Sequence, residues 1–181
     1  DVFEEASAVI QFKIEGQLIE KHPEWKMDGR RLFEHINYEK GTVEIDGKEY
    51  EMSSCNFPTI DPKYPNRLSE EETILMQKLH HSFKVCEKLH KHIRVMLQHG
   101  CMYAIFNNNL LFHASCPLNA DGSLKEVEIY PGHKYSGRDL MHYTGMQIRT
   151  AFQQDSDPAE KEYAIDYFLY LWCGPDSPLF D

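Results

Sequence analysis

The sequence predicts an α+β fold in which helices are interleaved with antiparallel hairpins. Three observations carry that prediction. Asp46-Gly47 sits between two short runs of alternating polarity, where a tight hairpin turn needs positive φ at both central residues. Ser69 and Glu72 have the spacing of a capping box, ahead of the apolar series Leu75, Leu79, Phe83, Cys86, Leu89, Ile93 and Leu97, one face of a long helix. Asp157-Pro158, with Glu160 following, marks another helix start.

In chain order, residues 1 to about 21 place Phe3, Ala6, Ile10, Ile14 and Leu18 at helical spacing. Glu4, Glu5, Lys13 and Glu20 are expected on the opposite, solvated face. His22-Pro23 stops this helix, and a short helix over Asp28 to Ile36 is expected with Asp28 as its cap. The hairpin over 42–52 follows. Residues 56–67 hold Pro58, Pro62 and Pro65, which excludes a helix or a central strand there. The capped helix is expected to run unbroken from Ser69 to Gly100. Two strands, 101–106 and 110–116, are joined at Asn107-Asn108-Asn109, residues that tolerate left-handed backbone. Val127 and Ile129, Tyr130-Pro131-Gly132-His133 and Tyr135 form another hairpin. Ser136 and Asp139 open a helix carrying Leu140, Tyr143, Ile148 and Ala151. The last helix runs from Asp157 to Trp172 and stops at Gly174-Pro175. No linker or low-complexity tract appears, so residues 1–181 are expected to be a single piece.

Composition narrows the partners. The 181 residues carry 19 Lys+Arg against 29 Asp+Glu, a net charge of −10. That sign repels phosphate backbones and anionic lipid, so neither nucleic acid nor a membrane surface is an expected partner. No stretch approaches the roughly 20 apolar residues that cross a bilayer. Five cysteines without a Cys-x-x-Cys pair speak against a zinc ribbon or a disulfide framework, and a reduced, cytoplasmic setting is expected. The chain opens at Asp1 without methionine, and it is expected to be a fragment of a longer protein.

Candidate chemistry rests on few side chains. His80, His81, His90, His92 and His99 lie on the long predicted helix, but His81, His92 and His99 share an azimuth two or three turns apart. A helical metal pair needs i, i+3 or i, i+4 spacing, so a solvated face is expected. His113 closes the strand Leu110-Leu111-Phe112, where a ligand is held rigidly beside a loop; imidazole suits Mn, Fe or Zn. Cys116 lacks a basic partner and is expected to be a small buried hydrophobe. Arg30, Arg31, Arg94, Lys134 and Arg138 could grip phosphate but are dispersed. No phosphate-cradling glycine loop or nucleophile elbow is present. The residues themselves go no further than a mixed domain with one candidate metal-binding histidine.

A resemblance goes further. Asn107-Asn108-Asn109-Leu110-Leu111-Phe112-His113, followed by Cys116-Pro117-Leu118-Asn119-Ala120-Asp121-Gly122-Ser123, resembles the class III fructose-1,6-bisphosphatases of bacteria. So do Ile10-Gln11-Phe12-Lys13 with Glu15-Gly16-Gln17-Leu18-Ile19, Asn56-Phe57-Pro58-Thr59-Ile60-Asp61-Pro62, and Tyr170-Leu171-Trp172-Cys173-Gly174-Pro175-Asp176-Ser177-Pro178-Leu179-Phe180. That family resembles the calcineurin-like metallophosphoesterases, which implies a β-sandwich flanked by helices, here with added elements. It also implies two divalent metal ions, with manganese expected. Gly-Asp-x-His, Gly-Asp-x-x-Asp-Arg-Gly, Gly-Asn-His-Glu and the final Gly-His are absent here; only the later strand-end His has a counterpart, His113. His113-Ala114-Ser115 stands where phosphoprotein phosphatases have His-Gly-Gly.

The implied reaction is hydrolysis of fructose 1,6-bisphosphate to fructose 6-phosphate and phosphate in gluconeogenesis, by attack of a metal-activated hydroxide. His113 is the implied metal ligand, and no catalytic residue is assigned within the chain. Asp176 and Ser177, on the Gly-Pro loop, are expected near the substrate. The expected partners are the sugar bisphosphate, the remainder of the polypeptide and, as an open alternative, further copies in a homo-oligomer. Two rivals are a non-catalytic binding or assembly module derived from that family, and an independent metal-binding protein. The chain alone is expected to be inactive.

Overall fold

The computed structural model describes residues 2–180, and Asp1, where the first helix was expected to begin, lies outside them. Its elements, in order, are α1 (Val2–Lys21), β1 (Ile36–Asn37), β2 (Thr42–Ile45), β3 (Lys48–Glu51), α2 (Glu70–Lys84), α3 (Glu87–His99), β4 (Tyr103–Phe106), β5 (Asn109–Phe112), β6 (Val127–Tyr130), β7 (His133–Tyr135), α4 (Gly137–Phe152) and α5 (Pro158–Cys173). The sheets are small and antiparallel: β1-β2-β3, β4-β5 and β6-β7. The α+β expectation holds. The chain divides into two compact units, Asp1–Cys86 and Glu87–Asp181.

In the first unit, α1 ends at Lys21 as His22-Pro23 dictates. Its buried face is not the expected one. Val9, Lys13, Glu15, Gly16 and Ile19 are buried, whereas Phe3 is exposed. Lys13, expected in solvent, is fully buried. Its Nζ ion-pairs with Glu72 Oε2 at 2.8 Å and donates to the Thr59 carbonyl at 2.6 Å. Sequence periodicity treats lysine as a surface residue; here a carboxylate from a distant helix compensates its desolvation. Glu72 closes the capping box with Ser69, as expected. Burial pushes the Glu72 carboxyl up, but hydrogen bonds from Lys13, the Ser69 amide and Thr59, with the Lys13 charge, outweigh it and hold the group below its ordinary value.

One turn further along α1, a Cβ on Gly16 would lie 2.4 Å from the Asn66 side-chain amide. Gln17 Nε2 donates to the Asn66 carbonyl at 2.6 Å. The proline-bearing segment is thereby moored along α1 without regular structure of its own. Residues 28–36 do not make the expected capped helix. They form two 3₁₀ turns, Asp28–Arg30 and Leu32–His35, and Asp28 makes no cap. Phe33, buried, packs on Phe12 and Phe57. The expected hairpin is present with Asp46 and Gly47 at φ 51° and 74°, and β1 adds a strand that sequence did not disclose.

The expected helix from Ser69 to Gly100 is broken. Val85 still bonds back to the His81 carbonyl, but Cys86 bonds to Phe83, a tighter turn that ends α2. Two poor helix formers in succession mark the break. No core on α2 opposes it, since Leu75, Leu79 and Phe83 are exposed.

In the second unit, Asn107 and Asn108 take φ 48° and 59° in the turn between β4 and β5; Asn109 pairs with Phe106 inside the ladder. Helices α4 and α5 pack together, with Tyr143 and Thr144 against Tyr167; Leu140, Ala164, Leu171 and Ile129 of β6 are buried as well. Ser136 precedes α4 without a side-chain cap, whereas Asp157 accepts from Ala159 and Glu160 at the start of α5. Tyr163, Tyr167 and Tyr170 stack along α5.

Candidate functional site

Strand β5 delivers the chain to His113, which is exposed. Ala114 follows at φ 59°, a conformation that a residue with a Cβ seldom adopts. It turns the chain so that Ser115 Oγ reaches the Ser177 carbonyl at 3.0 Å and the Phe180 carbonyl at 3.3 Å. The segment after His113 is therefore fastened to the loop that follows α5.

That loop is built by the end of α5. Gly174 bonds to the Tyr170 carbonyl at 2.7 Å. A Cβ there would lie 2.4 Å from the Tyr170 ring and 2.6 Å from its carbonyl oxygen. The Tyr170 hydroxyl donates to the Pro175 carbonyl. Burial, with the charges of Tyr167 and Asp176 and that of Tyr163, pushes its pKa up, so it stays a donor. Asp176 takes φ 61° and is held by Lys125 Nζ at 2.7 Å. Ser177 is fully buried; its hydroxyl donates to the Leu171 carbonyl at 2.8 Å and accepts from the Leu179 amide at 3.2 Å.

Lys125 comes from the loop after His113. Leu118 and Leu124 bridge across a tight turn in which Gly122 has φ 82°, and the Asp121 carboxylate receives the amide and hydroxyl of Ser123. Lys125 N bonds to the Pro117 carbonyl at 3.0 Å. The segment after His113 is thus joined to the Asp176–Ser177 loop through Ser115 and Lys125. Sequence reasoning missed both linkers. A small hydroxyl residue two places after a strand-end histidine is a faint signal for the first; nothing in the sequence marks the second, whose partner is 51 residues away.

The remaining candidates do not gather here. His80, His81, His90, His92 and His99 are exposed on α2 and α3, and Arg94, Lys134 and Arg138 are exposed too. Arg30 pairs with Glu15 and Arg31 with Glu34. Cys116 is half-buried. Among the described residues, no group of three or more His, Cys, Asp or Glu side chains is placed to hold a metal ion. His113 by itself is one donor of the several a site needs, so the described residues do not make up a metal centre.

The comparisons with known proteins decide the family. The family model described as Firmicute fructose-1,6-bisphosphatase matches residues 1–181. The chain belongs to that family. It is 49% identical over 176 residues to a fructose-1,6-bisphosphatase class 3 of Bacteroides fragilis, 51% over 176 residues to that of Parabacteroides distasonis and 48% over 175 residues to that of Clostridium novyi. In each case the match covers 97% of this chain and 26% of the relative. The chain thus spans about a quarter of the length of these curated relatives. No solved structure matches. No helix among the described residues is long and apolar enough to cross a membrane.

The loop after α5 makes a direct prediction. Ser177→Ala leaves the Leu179 amide and the Leu171 carbonyl without their partner, and destabilises the fold by about 1–3 kcal/mol. Asp176→Ala removes a half-exposed ion pair and costs about 0–1 kcal/mol. Urea melts of both variants check this ordering.

Proposed function

We propose that this chain is one piece of a metal-dependent sugar bisphosphatase that hydrolyses fructose 1,6-bisphosphate to fructose 6-phosphate and phosphate. The observation that carries this reading is the family match over residues 1–181, with relatives near half identity named for that activity. In this reading the piece works within a longer cytoplasmic enzyme of gluconeogenesis, and its nearest partner is the remainder of the same polypeptide.

His113 is proposed as one ligand of a divalent ion, with manganese the expected metal and two ions in the complete enzyme; the other ligands come from outside this chain. When bound, such ions polarise the phosphoryl group and supply a nucleophile at neutral pH. The part of this chain is to hold. The fastening of Ser115 to the loop after α5 keeps His113 and the Asp176 loop in one frame. Asp176 is proposed to face the substrate, with Lys125 setting its carboxylate; Ser177 acts from beneath by fixing the loop's path.

The test is phosphate release from fructose 1,6-bisphosphate with added Mn²⁺, comparing this chain with a polypeptide of the relatives' length that contains it. Activity is expected in the long polypeptide only. Activity in this chain alone would overturn the placement of the missing ligands, and silence in both would favour a non-catalytic module.

A further inference from the structure

The β4–β5 hairpin breaks the rule by which an exposed ribbon is apolar on one face. Cross-strand pairs share a face, and the register pairs Tyr103 with Phe112, Ala104 with Leu111, Ile105 with Leu110 and Phe106 with Asn109. One face therefore carries Tyr103, Ile105, Leu110 and Phe112; the other carries Ala104, Phe106, Leu111 and Asn109. Both are apolar and, apart from the Tyr103 ring edge-on to His142 of α4, both lie open: Ile105 is 70% and Phe106 68% exposed. Apolar residues in unbroken succession are the signature of strands covered on both faces. Among the described residues each strand has a single partner, so both outer edges present backbone donors and acceptors. A two-stranded ribbon of this kind is marginal in water.

We infer that β4–β5 is an interior element of a larger sheet, extended along its edges and covered on both faces by the part of the polypeptide that the longer relatives carry outside the matched region. Two observations select that occupant. The match covers only 26% of the relatives, which leaves ample chain to supply strands and cover. His113 directly follows β5 as a lone donor, and strands added beside β5 would end next to it. The docking surface and the missing ligands would then be supplied by the same segment. This inference rests on the proposed function only for that last link; the apolar faces and open edges stand without it.

Hydrogen–deuterium exchange tests it, comparing this chain with a polypeptide of the relatives' length. The amides of residues 103–112 are expected to exchange on the order of 100-fold more slowly in the long polypeptide, independently of protein concentration. Ile105→Lys and Phe106→Lys, one on each face, are expected each to remove that protection. Equal exchange in both polypeptides would overturn the inference. So would protection in this chain alone that grows with concentration, which would assign the surface to a second copy. A long polypeptide that protects the hairpin yet releases no phosphate would overturn only the proposed activity; one that releases phosphate with the hairpin unprotected would overturn only the docking.

Discussion

Lys13→Ala is expected to destabilise the first unit by about 3–5 kcal/mol, the cost of leaving one member of a buried ion pair without the other. The pair ties α1 to the start of α2, 59 residues on. Lys13 is fully buried, Glu72 nearly so, and the same ammonium also holds the Thr59 carbonyl. Removing it leaves Glu72 with the Ser69 amide and the Thr59 hydroxyl only and takes away the Lys13 charge, so its lowered pKa rises back towards the ordinary value. The acid dependence follows from linkage. Glu72 binds its proton more weakly folded than unfolded, so its contribution is complete above pH 4.5 and is lost as pH falls through the folded, lowered value. Urea melts at pH 7 and pH 3 check both parts. The wild-type chain should lose stability across that interval, and Lys13→Ala should lose less because its linkage is gone. An unchanged midpoint at pH 7 would mean that water reaches the pair.

His113→Ala, in a polypeptide of the relatives' length, is expected to lower phosphate release on the order of 100-fold or more. Even the partners that merely orient metal ligands cost 10–100-fold when removed. The imidazole is exposed at the end of β5, so its loss leaves no buried cavity, and the folded state should be spared. Titration with Mn²⁺, read by heat or by metal content after gel filtration, separates the two effects. A weaker or missing metal-binding phase with an unchanged melting temperature is the expected result. Unaltered metal binding and full turnover would remove His113 from the site.

What could be read in advance was what local chemistry dictates. The turn at Asp46-Gly47, the asparagine turn, the Ser69–Glu72 box and the Asp157-Pro158 start all depend on neighbours a few residues apart, and all are present. What escaped depends on distant partners. Periodicity put Lys13 in solvent because it could not see Glu72, 59 residues on. It ran one helix from Ser69 to Gly100 because the stripe continues, although nothing among the described contacts rewards its exposed leucines. At the site, the strand-end position of His113 was legible. The fastening of its loop by Ser115, and the Lys125–Asp176 pair, required the fold.

The mooring of residues 59–66 along α1 bears on how this region can vary between relatives. Surface segments without regular structure usually tolerate gained or lost residues. This one does not have that freedom. Lys13, Gly16 and Gln17 occupy one turn of α1 and meet Thr59 at one end of the segment and Asn66 at the other. Helix and segment are therefore matched like a ruler to its marks, and one residue added or removed between Thr59 and Asn66 would slide one contact off its mark. Among relatives, length changes should collect elsewhere, while the spacing from Thr59 to Asn66 stays fixed even where the residues between them differ.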